Sequence, residues 1–596
     1  MRYIGGEVMS KNGKKNNKGS FITMLCLSMV LNSGCNRTAF DTKYGFDKAV
    51  VNGKDSSIVL DVNQWKDYSG EQIQLTTSDN FVLLTSSFDT SCFYGDSEKY
   101  SVNNFISNID NEIYHLTADD NGMPIYNKDF IDTNWRFNKA ITFNGNRALI
   151  LPIGNWKDYS GEQLQVVTND GLVLILSSYH SKLVYDGESK ISANEFASSY
   201  VSSNGKVVDL SSDIDIDFNY DLFDTEYKFD KAIIKKDNSV VILPITEWRD
   251  YEGEQLQIKI FNGPTIVTAA YDTILIDDSK SKIKAIDVAE GLSENVIDLS
   301  SGYNLNDNYN RTVFDFNNGF SNVIFSNDNS SSILPITEWC DYEGEQLQVV
   351  LDSGDIILSS SMMLDLVNGG TSKINASILG ENYVFDGKVI DKSNGNVQEY
   401  GYNKTFFDFE QSFKYALKVV NGNVTIIPLQ KWKDFYNTDG GENEDSPNCE
   451  QIQLILPDGT AIVTTAYDTL LVKNVSDIYE IAELFKGKDG VISDLSPYVG
   501  EPSVSGWNYS FFDTKYHFSY SIINVDGNMQ VYPIKNWLDF SEGEQLQLNF
   551  NDDTGVLTSF VNATLVDPYT EGIEEIIAKA FAGSLEKEMG LVVIYK

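Results

Sequence analysis

The ten residues WKDYSGEQIQ at 65–74 decide how this chain is read, because they return five more times. They read WKDYSGEQLQ at 156–165, WRDYEGEQLQ at 248–257 and WCDYEGEQLQ at 339–348. A fifth copy begins WKDF at 432–435 and resumes as EQIQ at 450–453, and the sixth is WLDFSEGEQLQ at 537–547. A second phrase lies upstream, as in FDTKYGFDKA (40–49), FDTEYKFDKA (223–232) and FDTKYHFSYS (512–521). Its Asp falls at Asp41, Asp132, Asp224, Asp315, Asp408 and Asp513, 24 residues before Trp65, Trp156, Trp248, Trp339, Trp432 and Trp537 respectively. An interval held that tightly predicts paired strands, since a one-residue slip would turn every side chain to the wrong face. The copies span 35–125, 126–217, 218–308, 309–400, 401–505 and 506–596, after a leader at 1–34; the fifth carries an acidic insertion at 436–448.

The third copy shows the pattern of one module. Tyr227–Ile234 and Ser239–Thr246 read as strands, with Pro244 marking a strand end or edge. Asp250-Tyr251-Glu252-Gly253 reads as a turn. Glu254–Ile260 alternates, which predicts Leu256, Ile258 and Ile260 in the core and Gln255, Gln257 and Lys259 outside. Asn262-Gly263 is a further turn, and Thr265–Ile276 supplies more strand. A helix follows, clearest at Ser476–Gly487 with Ile478, Ile481 and Phe485 on one face, then a short strand such as KVVDLS (206–211) or GVISDLS (490–496). The last copy predicts a helix over Gly572–Ala582 and a strand over Leu591–Tyr595. The expected fold class is therefore mainly β: six tandem small, SH3-like β-barrels, each with a helix–strand appendage, strung as independent beads.

Composition narrows the function. The 596 residues include 45 Lys+Arg against 86 Asp+Glu, a net charge of −41, which repels phosphate backbones and argues against nucleic acid as a partner. The five cysteines (Cys26, Cys35, Cys92, Cys340, Cys449) show no metal-ligand spacing, and the three histidines (His115, His180, His517) occupy no shared place in the repeat. No zinc site or histidine chemistry is expected, and no enzyme.

Residues 1–34 read as a secretory leader: Arg2, Lys11, Lys14, Lys15 and Lys18, then the apolar run Phe21–Leu31, then Asn32-Ser33-Gly34 before Cys35. The run is too short to span a bilayer, which takes about 20 residues. Gly34-Cys35 ends like a lipobox, which makes Cys35 the expected lipidation residue; cleavage near Gly34 to a free secreted protein is the alternative.

From Cys35-Asn36 through FDTKYGFDKA to the Trp65 phrase, residues 35 to about 93 resemble short lipoproteins of Gram-positive bacteria, and the same core recurs five more times. The family brings no activity and no site residues. The resemblance implies a lipid-anchored, extracytoplasmic location. This chain departs from it in Asn32 and in its six copies.

Two candidate sites remain. In one, the repeated Trp stacks a sugar while the Asp and Glu of the phrase bind hydroxyls: Trp65, Asp67 and Glu71; Trp156, Asp158 and Glu162; Trp248, Asp250 and Glu254; Trp339, Asp341 and Glu345; Trp432, Asp434 and Glu450; Trp537, Asp539 and Glu544. The competing expectation makes the Trp a core plug, since a motif present in every copy is what a fold requires. In the other, acidic loops hold calcium: Asp439, Glu442, Glu444 and Asp445 in the insertion, or Asp213, Asp215 and Asp217, neither of which follows an EF-hand pattern. No other cofactor is expected. The reading that fits best is an extracytoplasmic, lipid-anchored repeat protein with a binding or structural role, its partners the membrane and a wall glycan or surface protein. A secreted glycan- or wall-binding protein using the Trp phrase is the alternative, and a wall hydrolase the least favoured.

Overall fold

In the first repeat of the computed structural model, the strands are β1 (Arg37–Ala39), β2 (Lys48–Gly53), β3 (Ser56–Asp61), β4 (Gln64–Tyr68), β5 (Gln72–Thr76), β6 (Val82–Ser86), β7 (Thr90–Tyr94) and β8 (Glu112–Leu116). A helix, α1 (Val102–Ser107), lies between β7 and β8, and the same labels serve for the other repeats. The structure describes residues 37–594 apart from 40–45, 69–71, 95–101, 108–110, 117–127, 131–136, 160–161, 188, 212–227, 237–238, 252–253, 303–318, 343–345, 372, 394–411, 437–446, 474–476, 505–508, 512–517, 526–527, 540–544, 551–553, 560, 568–573 and 586–592.

Within a repeat, β2 pairs antiparallel with β3 and β7, β8 runs parallel to β3, and β4-β5-β6 form a meander. The meander then leaves its own repeat. β6 of the first repeat pairs with β7 of the second (Leu83↔Val184), and the same step joins Leu174↔Ile276, Ile266↔Val367, Ile357↔Val472 and Ile462↔Val566. The sixth repeat returns to the first, with Val556↔Phe93 and Leu557↔Cys92. Where β1 is described it joins the same shared sheet from the other edge, as in Arg37↔Trp537, Trp65↔Lys128 and Trp432↔Tyr509. Each sheet is thus built from β4-β5-β6 of one repeat and β7, β2, β3 and β8 of the next, and six such sheets close a ring.

This corrects the expected architecture. The chain is mainly β, but no repeat closes a barrel on itself, because its two halves belong to different sheets. Nor are the repeats beads: residues Cys35–Lys596 form one compact unit. Its six apolar cores sit between consecutive repeats, the first joining Trp65 to Phe196 and the closing one joining Trp537 to Phe93. Pro244 marks a crossing and not an end. The strand Ser239–Tyr251 runs through it, pairing in one sheet up to Pro244 and in the next from Ile245, so the first two residues of the turn expected at 250–253 are strand, and the other two lie outside the described residues. The missing proline N–H falls where the chain leaves one ladder for another.

The six tryptophans of the repeated phrase are at most 1% exposed, each edge-on to a phenylalanine of its own repeat: Phe46, Phe137, Phe229, Phe320, Phe413 and Phe518, at centroid distances of 5.2–5.8 Å and interplanar angles of 79–84°. Leu256, Ile258 and Ile260 are buried as expected, and Lys259 is exposed. Gln255 and Gln257, expected outside, are 1% exposed, because a shared sheet is covered on both faces. Cys92 and Cys340 are buried. Among the described residues no helix is long and apolar enough to cross a membrane.

The α1 helix of each repeat is wedged against the preceding repeat, whose side chains take up carbonyls its last turn cannot satisfy internally. Ser56 Oγ donates to Tyr200 O, Asn144 Nδ2 to Leu292 O, Ser239 Oγ to Tyr383 O, Ser332 Oγ to Leu484 O and Thr425 Oγ1 to Ser584 O. Across the closure Gln530 Nε2 donates to Phe105 O at 2.9 Å. The predicted helix near Ser476 is found at Ile478–Phe485, capped by Asp477; the last helix is Glu574–Leu585 and the last strand Val593–Ile594.

Two predictions follow from this packing. Trp156→Ala should cost about 3–5 kcal/mol in denaturant unfolding, and Trp156→Phe clearly less. Ser91 and Thr558 face each other across the closure, their hydroxyls 3.1 Å apart. The pair Ser91→Cys/Thr558→Cys should cross-link under oxidising conditions and give a faster, reductant-sensitive band on a denaturing gel; an unshifted band would mean an open chain.

Candidate functional site

The β2–β3 hairpins turn on two residues, where the strand twist demands left-handed backbone and so Asn, Asp or Gly. Gly145 (φ 52°), Asp328 (φ 38°) and Asn421 (φ 48°) hold the first turn position in the second, fourth and fifth repeats. The β6–β7 corners bend just as tightly. In the first and fourth repeats a serine hydroxyl accepts from the backbone two residues on, Ser86 from Phe88 N and Ser360 from Met362 N, both at 3.1 Å. Ring closure brings these hairpin tips and corners together around one cavity of about 540 Å³, lined from every repeat: among others Lys54, Gly145, Tyr271, Asp328, Asn421 and Asn562. Aromatic rings cluster along it. Phe88 stacks on Tyr179 (4.3 Å, 8°), Tyr179 meets Tyr271 at 5.3 Å, and Phe88 meets Tyr467 at 5.8 Å. A second cleft of about 380 Å³ shares Gly145 with the first and is lined by Arg147, Lys206, Glu294 and Phe385 among others.

At the corners, charge is paired in alternate repeats. The corner position holds Asp89, Asp272 and Asp468 in the odd repeats and His180, Met363 and Asn562 in the even ones. The lysines arrive from three different strand positions: Lys182 to Asp89 at 2.5 Å, Lys236 to Asp272 at 3.0 Å and Lys418 to Asp468 at 2.5 Å. Tyr200 also donates to Asp89. Burial pulls Lys418 down and Asp468 up, each toward neutrality, and their mutual attraction opposes it. Burial pushes the Lys235 ammonium down to about 8. Burial, with the charges of Lys235 and Lys182, holds His180 well below the usual imidazole range, and burial raises the Tyr271 hydroxyl.

Of the residues expected to bind sugar, the six tryptophans are core and present no open face to a ligand. Asp67, Asp158, Asp250, Asp341, Asp434 and Asp539 lie in the β4 strands and Glu450 in β5; the description of these side chains, and of Glu71, Glu345 and Glu544 altogether, lies outside the described residues. Glu162 and Glu254 open β5 half-buried, and their backbone carbonyls accept from Ser178 N (2.8 Å) and Ala270 N (2.7 Å), steadying the corner that carries the aromatic residue. Cys35, the calcium candidates Asp439, Glu442, Glu444 and Asp445, and Asp213, Asp215 and Asp217 lie outside the described residues. The cavity was not foreseen, although the phrases SSFDT, SSYHS, AAYDT and TAYDT mark its corners in the first, second, third and fifth repeats.

Two measurements check the electrostatics. Asp468→Asn strands a buried ammonium and should cost about 3 kcal/mol or more, while Lys418→Met with Asp468→Leu should be near neutral. His180 stays neutral in the fold, so the unfolded chain binds the extra proton. Stability should therefore fall as pH drops below about 6.5, by up to about 1.4 kcal/mol per unit, and His180→Gln should flatten that slope between pH 6.5 and 5.

No protein-family model matches the chain, and no curated protein matches it. Among solved structures it is similar to the C-terminal WD40 domain of Sif2 (7% identity, 87% of this chain and 99% of that one, TM-score 0.11). It is also similar to BamB from Moraxella catarrhalis (9%, 58% and 97%, 0.09) and to the β-propeller domain of Myceliophteria thermophila Cps50 (Swd1) (5%, 85% and 98%, 0.10). At such TM-scores these likenesses carry no argument, and the ring rests on its own strand register.

Proposed function

We propose that this chain is an extracytoplasmic, lipid-anchored binding protein that works as one closed ring with a single composite site, not as six sites in series. The observation that carries this reading is the convergence of all six repeats on one cavity. That volume falls in the range of about 300–1,000 Å³ usual for ligand sites. Six-fold avidity along an extended string loses its basis, because the repeated Trp is core and the chain's two ends share a sheet.

The anchor reading rests on the leader and on Cys35. Two residues after Cys35, Arg37–Ala39 pairs with Trp537–Asp539. An acyl group on Cys35 would therefore hold the ring close to the bilayer with hardly any tether. A purely structural role has one observation in its favour, the internal pairing of the lysines at the corners, which serves the fold whether or not anything binds.

The test is capture from cell-wall and membrane fractions by the full chain carrying Cys35→Ser, with and without calcium. A defined partner should be retained, with retention reduced at least fivefold by Lys54→Glu, an exposed change at the cavity. Val491→Ser, at an exposed residue outside that lining, should leave it unchanged. No retention, or retention indifferent to Lys54→Glu, would favour the structural role.

A further inference from the structure

The cavity and the cleft meet at Gly145, which lines both. We propose that together they form one extended groove for an uncharged oligosaccharide, a ligand class that rests on the binding role inferred above. Charge balance is the first argument. In a chain of net −41, the residues lining the two spaces carry three cations (Lys54, Arg147, Lys206) and three carboxylates (Asp89, Asp328, Glu294). Two of those carboxylates are committed internally, Asp89 to Lys182 and Glu294 to Arg147 at 3.1 Å. A polyanion would have to cross an acidic shell to reach a lining with no net charge to reward it, and a polycation would find no net negative charge once inside. A neutral ligand meets neither penalty.

The second argument is hydrogen-bonding chemistry. The lining is rich in asparagine, including Asn52, Asn204, Asn295, Asn421 and Asn524. Amides donate and accept, as sugar hydroxyls do; Asn52 Oδ1 accepts from Ser57 Oγ at 2.9 Å, and its amide nitrogen is the donor.

The third is a presented aromatic face. Phe385 is 53% exposed in the cleft. Its backbone is gripped from both sides by Asn329, which accepts from Phe385 N at 3.1 Å and donates to Phe385 O at 3.0 Å. Arg147 is fixed as firmly, donating to Glu290 O (2.8 Å) and Gly291 O (3.3 Å) as well as to Glu294. An exposed aromatic ring on an anchored backbone, beside a fixed guanidinium, is a platform for the apolar face of a sugar, with the backbone's ordering cost already met before binding.

The test is calorimetric titration of the full chain carrying Cys35→Ser with maltohexaose, cellohexaose and chitohexaose, and with hexalysine and polyphosphate as charged probes. Gly145→Asp should fold, since the fourth repeat holds Asp328 at the equivalent turn position, and it places a side chain where the two spaces join. Phe385→Ala removes an exposed ring. Matching unfolding temperatures would confirm that both variants are intact. At least one hexasaccharide should bind, each variant should weaken it tenfold or more, and neither charged probe should displace it. The proposal is overturned if no hexasaccharide binds, if both variants bind it unchanged, or if a charged probe takes the groove. Should the captured partner remain sensitive to Lys54→Glu while no hexasaccharide binds, the ligand class is wrong and the binding role stands; capture indifferent to Lys54→Glu removes the binding role itself.

Discussion

Everything in this molecule depends on a strand pairing that no repeat can make alone. β6 of each copy finds its partner in β7 of the next, so a copy in isolation would expose two unpaired ladder edges and half of two apolar cores. Open edges are templates for association. A linear array would keep such an edge at each end, however many copies it had. Closing the ring removes both at once, by pairing Gly555–Leu557 with Cys92–Tyr94. Six copies are therefore the unit of folding, and the small variations among them are variations within one structure.

The same constraint explains the spacing that made the repeats visible. Between the upstream Asp and the Trp, the chain must complete β2 and β3 in one sheet and enter β4 in the next. The crossing has to reach the neighbouring ladder in register, and the Trp that opens β4 drops at once into the core against a phenylalanine of β2's own entry segment. An added residue would rotate that Trp to the wrong face. The fifth copy tolerates its insertion because the extra residues lie past the Trp, where Tyr436, Pro447 and Asn448 lengthen the β4–β5 pairing and a longer connection costs little closure entropy.

Strands, their alternation, the helix and the hairpin turns were legible from the sequence because each is a local pattern. What escaped is non-local. Nothing near Gln255 and Gln257 says that a second sheet covers them, so alternation placed them outside, although they are as buried as Leu256. Pro244 correctly marked a place where a ladder loses a donor, but a strand ending and a strand changing sheets lose the same N–H. The closure joins residues 467 apart in the chain, Ser91 and Thr558, and no window of sequence holds both. The Trp phrase drew attention as a site because it repeats, and it repeats because the core needs it.

Variation among the copies shows what the shared fold leaves open. The corner after β6 alternates between aspartate and other residues, and its lysine partners come from β7 in one case and from two positions of β2 in the others. A fold that merely needed a buried charge pair would be expected to repeat one solution, as it repeats the Trp–Phe pair six times. Three different solutions to the same pairing mean that each copy met the charge of the central region separately.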